Sequence, residues 1–290
     1  FELIPWILGQ CETVAEAENL LKRINLLNEN FSEALPLSPL HWIISDRERS
    51  ITLESTPTGI QIYDNPIGIL TNSPTFDYHL FNLNNYMKLT KGIPDNTFAG
   101  GSRNLELKTY SHGMGAIGLP GDVSSLSRFV RATFVKMNSA SGSSEAESVS
   151  QFFHILKSVE MQRGCVQTAK GLYDITIYSS CCNTDRGIYY YTTYENSCIS
   201  AILCRKCRVL LTDRLCDHDG AVIDACFICT VDEIITERTQ EISLPELQNT
   251  NGTVGRIGIH RIILLFRTGL QDTLQMPDSR ADRRADRYPE

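Results

Sequence analysis

Gly113 to Arg131 reads GMGAIGLPGDVSSLSRFVR. The first half is punctuated by Gly113, Gly115, Gly118 and Gly121, with Pro120 before the last. Glycine serves where a chain needs positive φ or must let another backbone approach closely. The second half is helical in pattern. Leu126, Phe129, Val130, Thr133, Phe134 and Met137 recur on one face of a helix, with Asp122 or Ser124 placed to cap it. The stretch is therefore a tight glycine loop that delivers a helix start. It is not a phosphate loop, because no Gly-Lys-Ser/Thr follows, and it lacks the full GxGxxG spacing. Arg128 sits beside the apolar stripe. A charge in that position either snorkels to solvent along a packed stem or is aimed at a partner.

Upstream, residues 13–27 read as an amphipathic helix, with Val14, Ala17, Leu20, Leu21, Ile24 and Leu27 on one face and Thr13 as cap. A loop carrying Phe31, Leu35 and Leu37 follows; apolar side chains on a loop are core plugs or pocket walls. LHWIIS, SITLES, GIQIY and IGILT are short β-rich runs separated by turn residues, which predicts an antiparallel meander covered on both faces. In residues 70–86, LTNSPTFDYHLFNLNNY, Ser73 is placed to cap a helix and Pro74 to open it. Phe76, Leu80, Leu83 and Met87 would be its buried face. Asn72 stands where the last run meets this helix, a position typical of turn residues and also of sites. Residues 88–112 are polar and irregular. Beyond the organising stretch, residues 146–161 predict a helix with Val149, Phe152, Phe153, Leu156 and Val159 inward. DITIYSS and GIYYYTTY then read as a hairpin turned by Asn183 to Gly187. Strands and helices are segregated, which predicts an α+β fold.

The chain has 290 residues and a net charge of −7, which argues against a general nucleic-acid partner. No apolar run approaches the roughly 20 residues of a membrane span. The opening FELIPWIL lacks a basic start and a small-residue cleavage site, so no signal peptide is read there. It resembles the middle of a helix entered without a cap, and we expect residues upstream to be missing. Ten cysteines without a regular framework over the first two-thirds fit reduced thiols in a cytoplasm.

Four segments in order, LTNSPTFDYHLFNLNNY, GMGAIGLPGDVSSLSRFVRATF, FFHILKSVEMQRG and YSSCCNTDRGIYYYTTYEN, resemble the choloylglycine hydrolase family. They are most similar to its bile salt hydrolase branch, with penicillin V acylase as the sister branch and alternative. The resemblance spans 1–201 and implies a bacterial N-terminal-nucleophile hydrolase with a four-layer αββα fold, incomplete here because the N-terminal strands are missing. It implies a small-molecule substrate, a bile acid amide-linked to glycine or taurine, and no cofactor. A cysteine that opens the mature chain is the nucleophile, and its own α-amine is the base. Two family positions map onto this sequence. Asn72, of the LTNxPTFD motif, would sit beside the nucleophile near its α-amine and the oxyanion. Arg128, of the SRF motif, would lie next to the cysteine and favour thiolate. Phe31 and Leu35 match a segment that lines the steroid pocket. The family commonly forms tetramers. The nucleophile has no counterpart here, because Cys11, Cys165, Cys181, Cys182 and Cys198 are internal. The expectation is a chain that is inactive alone.

After Ala201 the resemblance stops. Residues 202–275 form an unmatched, cysteine-containing tail, and 276–290, ending SRADRRADRYPE, have the composition of a disordered segment. Cys204, Cys207, Cys226 and Cys229 spell C-x2-C, eighteen residues, C-x2-C, a spacing read as a zinc site. The apolar run CFICTV is unlike a zinc knuckle, and a shift of reading frame near Ser197 to Cys204 produces the same abrupt change of character. A zinc-binding interaction tail on an inactive remnant is thus the third reading.

Overall fold

In the computed structural model of the chain, residues 3–27, 29–30, 40–98, 105–167 and 173–203 are described. Phe31, Leu35 and the four cysteines of the zinc-like pattern lie outside them.

Two short helices open the chain, α1 (Leu3–Leu8) and α2 (Val14–Leu21). Thr13 and Glu16 form a reciprocal capping box at the start of α2. The helix stops at Leu21, short of the predicted 27. Arg23 and Ile24 bond back only three residues, and Leu27 is exposed.

The meander is an antiparallel sheet of β1 (His41–Ser45), β2 (Ser50–Thr56) and β3 (Gly59–Asp64). Alternation along β2 decides its two faces. Ile51 and Leu53 are buried against α1 and α2 together with Trp42, Ile44, Ile60 and Ile62. Thr52 and Glu54 point the other way, toward α3 (Phe76–Asn82) and α4 (Ser125–Asn138), and both are buried. The sheet is covered on both sides as expected, but its second face carries polar groups that the apolar pattern did not reveal. Each is matched. Glu54 bonds His41 Nδ1 at 2.8 Å and accepts the Phe76 N–H at 3.2 Å. Thr52 accepts from Asn65 Nδ2 at 2.9 Å.

The fourth run, Ile67–Thr71, is not a strand. Its backbone groups are satisfied by side chains instead: Asn65 Oδ1 accepts the Ile67 and Gly68 N–H groups, Asn65 Nδ2 donates to the Ile69 carbonyl, and Lys136 Nζ donates to the Ile67 and Gly68 carbonyls. The following helix also starts later than predicted. Ser73–Pro74 is a cis peptide, Thr75 is the N-cap without a side-chain bond, and the buried Glu54 carboxylate takes the first helical N–H. After Asn82 the helix tightens to a 3-10 turn over Leu83–Tyr86, so the apolar period breaks. Met87 is exposed and His79 is buried in its place.

Helix α4 is capped by Ser124, whose Oγ accepts the Ser127 N–H. Its buried side is centred on Phe129, Val130 and Ala132 and extends to Ser127 and Arg128, while Met137 is exposed. Helix α5 (Glu145–Lys157) presents Val149, Phe152 and Phe153 to a second antiparallel sheet of β4 (Tyr178–Asn183), β5 (Ile188–Thr193) and β6 (Ser200–Leu203). Strand β4 starts later than DITIYSS suggests, because Asp174 and Thr176 give their N–H groups to the Val166 and Met161 carbonyls. The third strand, β6, had no predicted counterpart. The result is a mixed fold of helices and two antiparallel sheets.

Candidate active site

Asn72 and Arg128 meet. Arg128 Nη2 donates to Asn72 Oδ1 at 2.6 Å across 56 residues of sequence, and Arg128 Nε donates to the Val123 carbonyl at 3.1 Å. The glycine loop and α4 make this contact. Gly113 and Gly118 adopt positive φ, and Gly115 packs against the backbone of Thr90 and Gly92 with no room for a Cβ. Arg131 then ties the loop down, donating to the Pro120, Asp122 and Ser158 carbonyls. Asp122 accepts the Ser124 N–H at 2.9 Å and the Ser127 hydroxyl at 2.5 Å. Those serine hydrogen bonds hold its carboxyl down at about 2.

Arg128 is 6% exposed, so its guanidinium does not snorkel to solvent. Burial pulls its pKa below the ordinary value, and the neighbouring Arg131 adds to this. Among the described residues no carboxylate lies within ion-pair distance of it. A buried cation without a paired anion is costly for stability and is a common mark of a functional site. Because guanidinium only donates, it fixes the Asn72 carboxamide with Oδ1 inward. Asn72 Nδ2, on a half-buried residue, finds no acceptor among the described residues. Asp174 acts on the guanidinium from beyond ion-pair distance, so the pair offers a positive charge without a contacting anion and an amide donor side by side. That combination stabilises a thiolate or an oxyanion.

Arg128 also lines a cavity of about 390 Å³ between the β1–β2 turn, residues 64–71, α4 and α5. Ile69, Leu70, Ala132 and Phe152 give it apolar walls, and Arg47, Arg49 and Lys136 line it together with Arg128. Burial lowers the Lys136 pKa.

Three further residues bear on Asn72 and were not read from the sequence. The Asn72 carbonyl accepts from His79 Nε2 at 2.8 Å and from Ser125 Oγ at 2.8 Å. Thr71 Oγ1 lies 3.0 Å from Ser125 Oγ and donates to the Ser125 carbonyl at 3.2 Å. Only His79 had a visible signal: a titratable side chain one position from the helical stripe Phe76, Leu80, Leu83.

No described thiol is placed as a nucleophile at this pair. Burial pushes Cys181 and Cys182 up to about 12, and burial also raises Cys11. Among the described residues no cluster of three or more His, Cys, Asp or Glu side chains could hold a metal. No described helix is long and apolar enough to cross a membrane.

The chain matches the family of linear amide C–N hydrolases of the choloylglycine hydrolase type over residues 1–217. It is 57% identical over 180 residues to a bile salt hydrolase/transferase of Lactiplantibacillus plantarum, covering 62% of this chain and 55% of the relative. It is 36% identical over 181 residues to a conjugated bile acid hydrolase of Lactobacillus acidophilus, covering 62% and 56%. Among solved structures, a point mutant of a conjugated bile acid hydrolase from Clostridium perfringens aligns with a TM-score of 0.62 at 38% identity, over 71% of this chain and 62% of that one. The chain thus spans little more than half the length of the curated relatives it matches. The match over three-quarters of its residues makes the chain a member of the choloylglycine hydrolase family of linear amide C–N hydrolases.

Proposed function

We propose that this chain supplies Asn72 and Arg128 to the active site of a bile salt hydrolase, a cysteine N-terminal-nucleophile amidase of four-layer αββα architecture that acts on glycine- or taurine-conjugated bile acids. The observation that carries the reading is the 2.6 Å bond between Arg128 and Asn72. It joins the two positions that the family motifs single out, and it leaves the cation without a contacting carboxylate and the amide donor without an acceptor among the described residues.

The roles are those the family resemblance implies, and the geometry of the pair supports them. A cysteine at the chain start passes its thiol proton to its own free α-amine, and the Arg128 cation favours the resulting thiolate. The thiolate adds to the amide carbonyl, forming a C–S bond and placing the carbonyl electron pair on oxygen. Asn72 Nδ2 donates to that oxyanion. The C–N bond then breaks, the proton passes to the departing amine, and water cleaves the thioester to release the bile acid. In a polypeptide of these 290 residues no cysteine carries a free α-amine, because residue 1 is Phe.

Purified Phe1–Glu290 incubated with glycocholate is expected to release no glycine above a protein-free blank; release above the blank overturns the assignment of the nucleophile. The bile acid names of the relatives favour conjugated bile salts over the penicillin V alternative, which is separated by assaying both substrates on a polypeptide that does open with cysteine. Assembly into a tetramer and Phe31 and Leu35 as steroid contacts belong to the same proposal.

A further inference from the structure

We propose that His79 is a positioning residue for the Asn72–Arg128 pair: its Nε2–H fixes the Asn72 main chain, and thereby the direction in which the Asn72 carboxamide faces. The function of that pair rests on the hydrolase reading; the positioning itself does not.

His79 is fully buried, at 0% exposure. Its Nε2 lies 2.8 Å from the Asn72 carbonyl. A carbonyl only accepts, so Nε2 carries the proton and Nδ1 bears the lone pair. Nδ1 finds no partner among the described residues. A buried, unsatisfied ring nitrogen costs stability, so packing alone gives no reason to choose histidine here over a phenyl ring. The ring does pack: it stacks on Phe129 at 4.6 Å with an interplanar angle of 26°. Phe129 is the chain neighbour of Arg128, and Phe129 in turn meets Phe76 edge-on at 6.0 Å. His79 therefore ties α3 to α4 at the turn of α4 that holds Arg128, while its donor holds the residue that Arg128 grips.

Asn72 is fixed at three points from two helices. His79 Nε2 and Ser125 Oγ hold its carbonyl, each at 2.8 Å, and Arg128 Nη2 holds its side-chain oxygen at 2.6 Å. Without the His79 donor, the peptide that follows Asn72 can rotate about the Ser125 bond. The side chain then swings relative to a guanidinium that is itself held in place by Val123. Catalytic donors have to be held within tenths of an ångström to act, which is why a group behind Asn72 matters to one in front of it.

The test is nuclear magnetic resonance on the full chain, Phe1–Glu290, so it reads geometry whether or not the chain turns over substrate. On the unmutated chain, His79 is expected to be the neutral Nε2–H tautomer, with a pyridine-like Nδ1 signal, at neutral pH. An Nδ1–H tautomer overturns the proposal, and this measurement needs no variant to fold. His79→Phe keeps the stacking on Phe129 and removes the donor; the Asn72 carboxamide and Arg128 guanidinium signals are expected to shift and to lose their slow exchange. His79→Gln places an amide N–H near the Nε2 position and is expected to restore them. If His79→Phe leaves both sets of signals where they are in the unmutated chain, or if His79→Gln fails to move them back while remaining folded, His79 is a packing residue only.

Discussion

Glu54→Ala tests how the helix that carries His79 is held. Glu54 is 2% exposed on the sheet face toward α3. One carboxylate oxygen accepts the Phe76 N–H, the first of the helix, and the other bonds His41. Truncation leaves the buried Phe76 N–H without an acceptor, which costs about 1–3 kcal/mol. The partner lost by His41, whose side chain is 18% exposed, adds about 1 kcal/mol because water reaches it only in part. The vacated side-chain volume adds about 1 kcal/mol more. The expected loss is thus about 3–5 kcal/mol, in the range seen when one partner of a buried pair is removed. Glu54→Gln keeps one acceptor oxygen and is expected to cost about 1 kcal/mol. Urea unfolding followed by far-ultraviolet circular dichroism measures both. A Glu54→Ala variant within about 1 kcal/mol of the unmutated chain would refute the view that this carboxylate anchors α3.

Two further outcomes are expected. Burial lowers the His79 pKa below its ordinary value, so between its unfolded value of about 6.5 and the lower folded value the unfolded chain binds the extra proton. Its contribution to stability is full above about pH 6.5 and is lost as pH falls below that, by up to about 1.4 kcal/mol per pH unit; His79→Gln should flatten that part of a stability-against-pH curve. At Gly115 a Cβ would come within 2.3 Å of the Gly92 carbonyl oxygen and 2.5 Å of the Thr90 carbonyl oxygen. Gly115→Ala must therefore move backbone and is expected to cost about 1–3 kcal/mol in urea unfolding, with faster amide exchange at Thr90, whose N–H bonds the Gly115 carbonyl.

The glycine loop and the helix after it were legible because glycine spacing and a 3.6-residue apolar period act locally. The Arg128–Asn72 contact was not legible from geometry; it came from matching two motifs, since nothing in the sequence alone links positions 56 residues apart. The period reading failed at His79, where the helix tightens after Asn82 and the buried stripe shifts off Met87. It failed again at Ile67–Thr71, a run with strand composition whose carbonyls and N–H groups are taken by Asn65 and Lys136. Side chains that replace a ladder partner leave no trace in hydrophobic patterning. The polar face of the first sheet was hidden for a related reason. Cover on both faces was expected, but the partners that let Thr52 and Glu54 be buried, Asn65, His41 and the Phe76 N–H, are set by tertiary placement and leave no mark in the alternation.

The most direct test of the central claim is the release of glycine from glycocholate by this chain when it is joined behind a segment of a bile salt hydrolase chosen so that the polypeptide opens with cysteine. Activity that falls by at least about 100-fold, the scale expected on losing a group that stabilises developing charge, in both Asn72→Leu and Arg128→Met versions is the predicted result. A folded fusion that releases no glycine, or an Arg128→Met version that keeps full activity, would contradict the assignment of Asn72 and Arg128 to the active site.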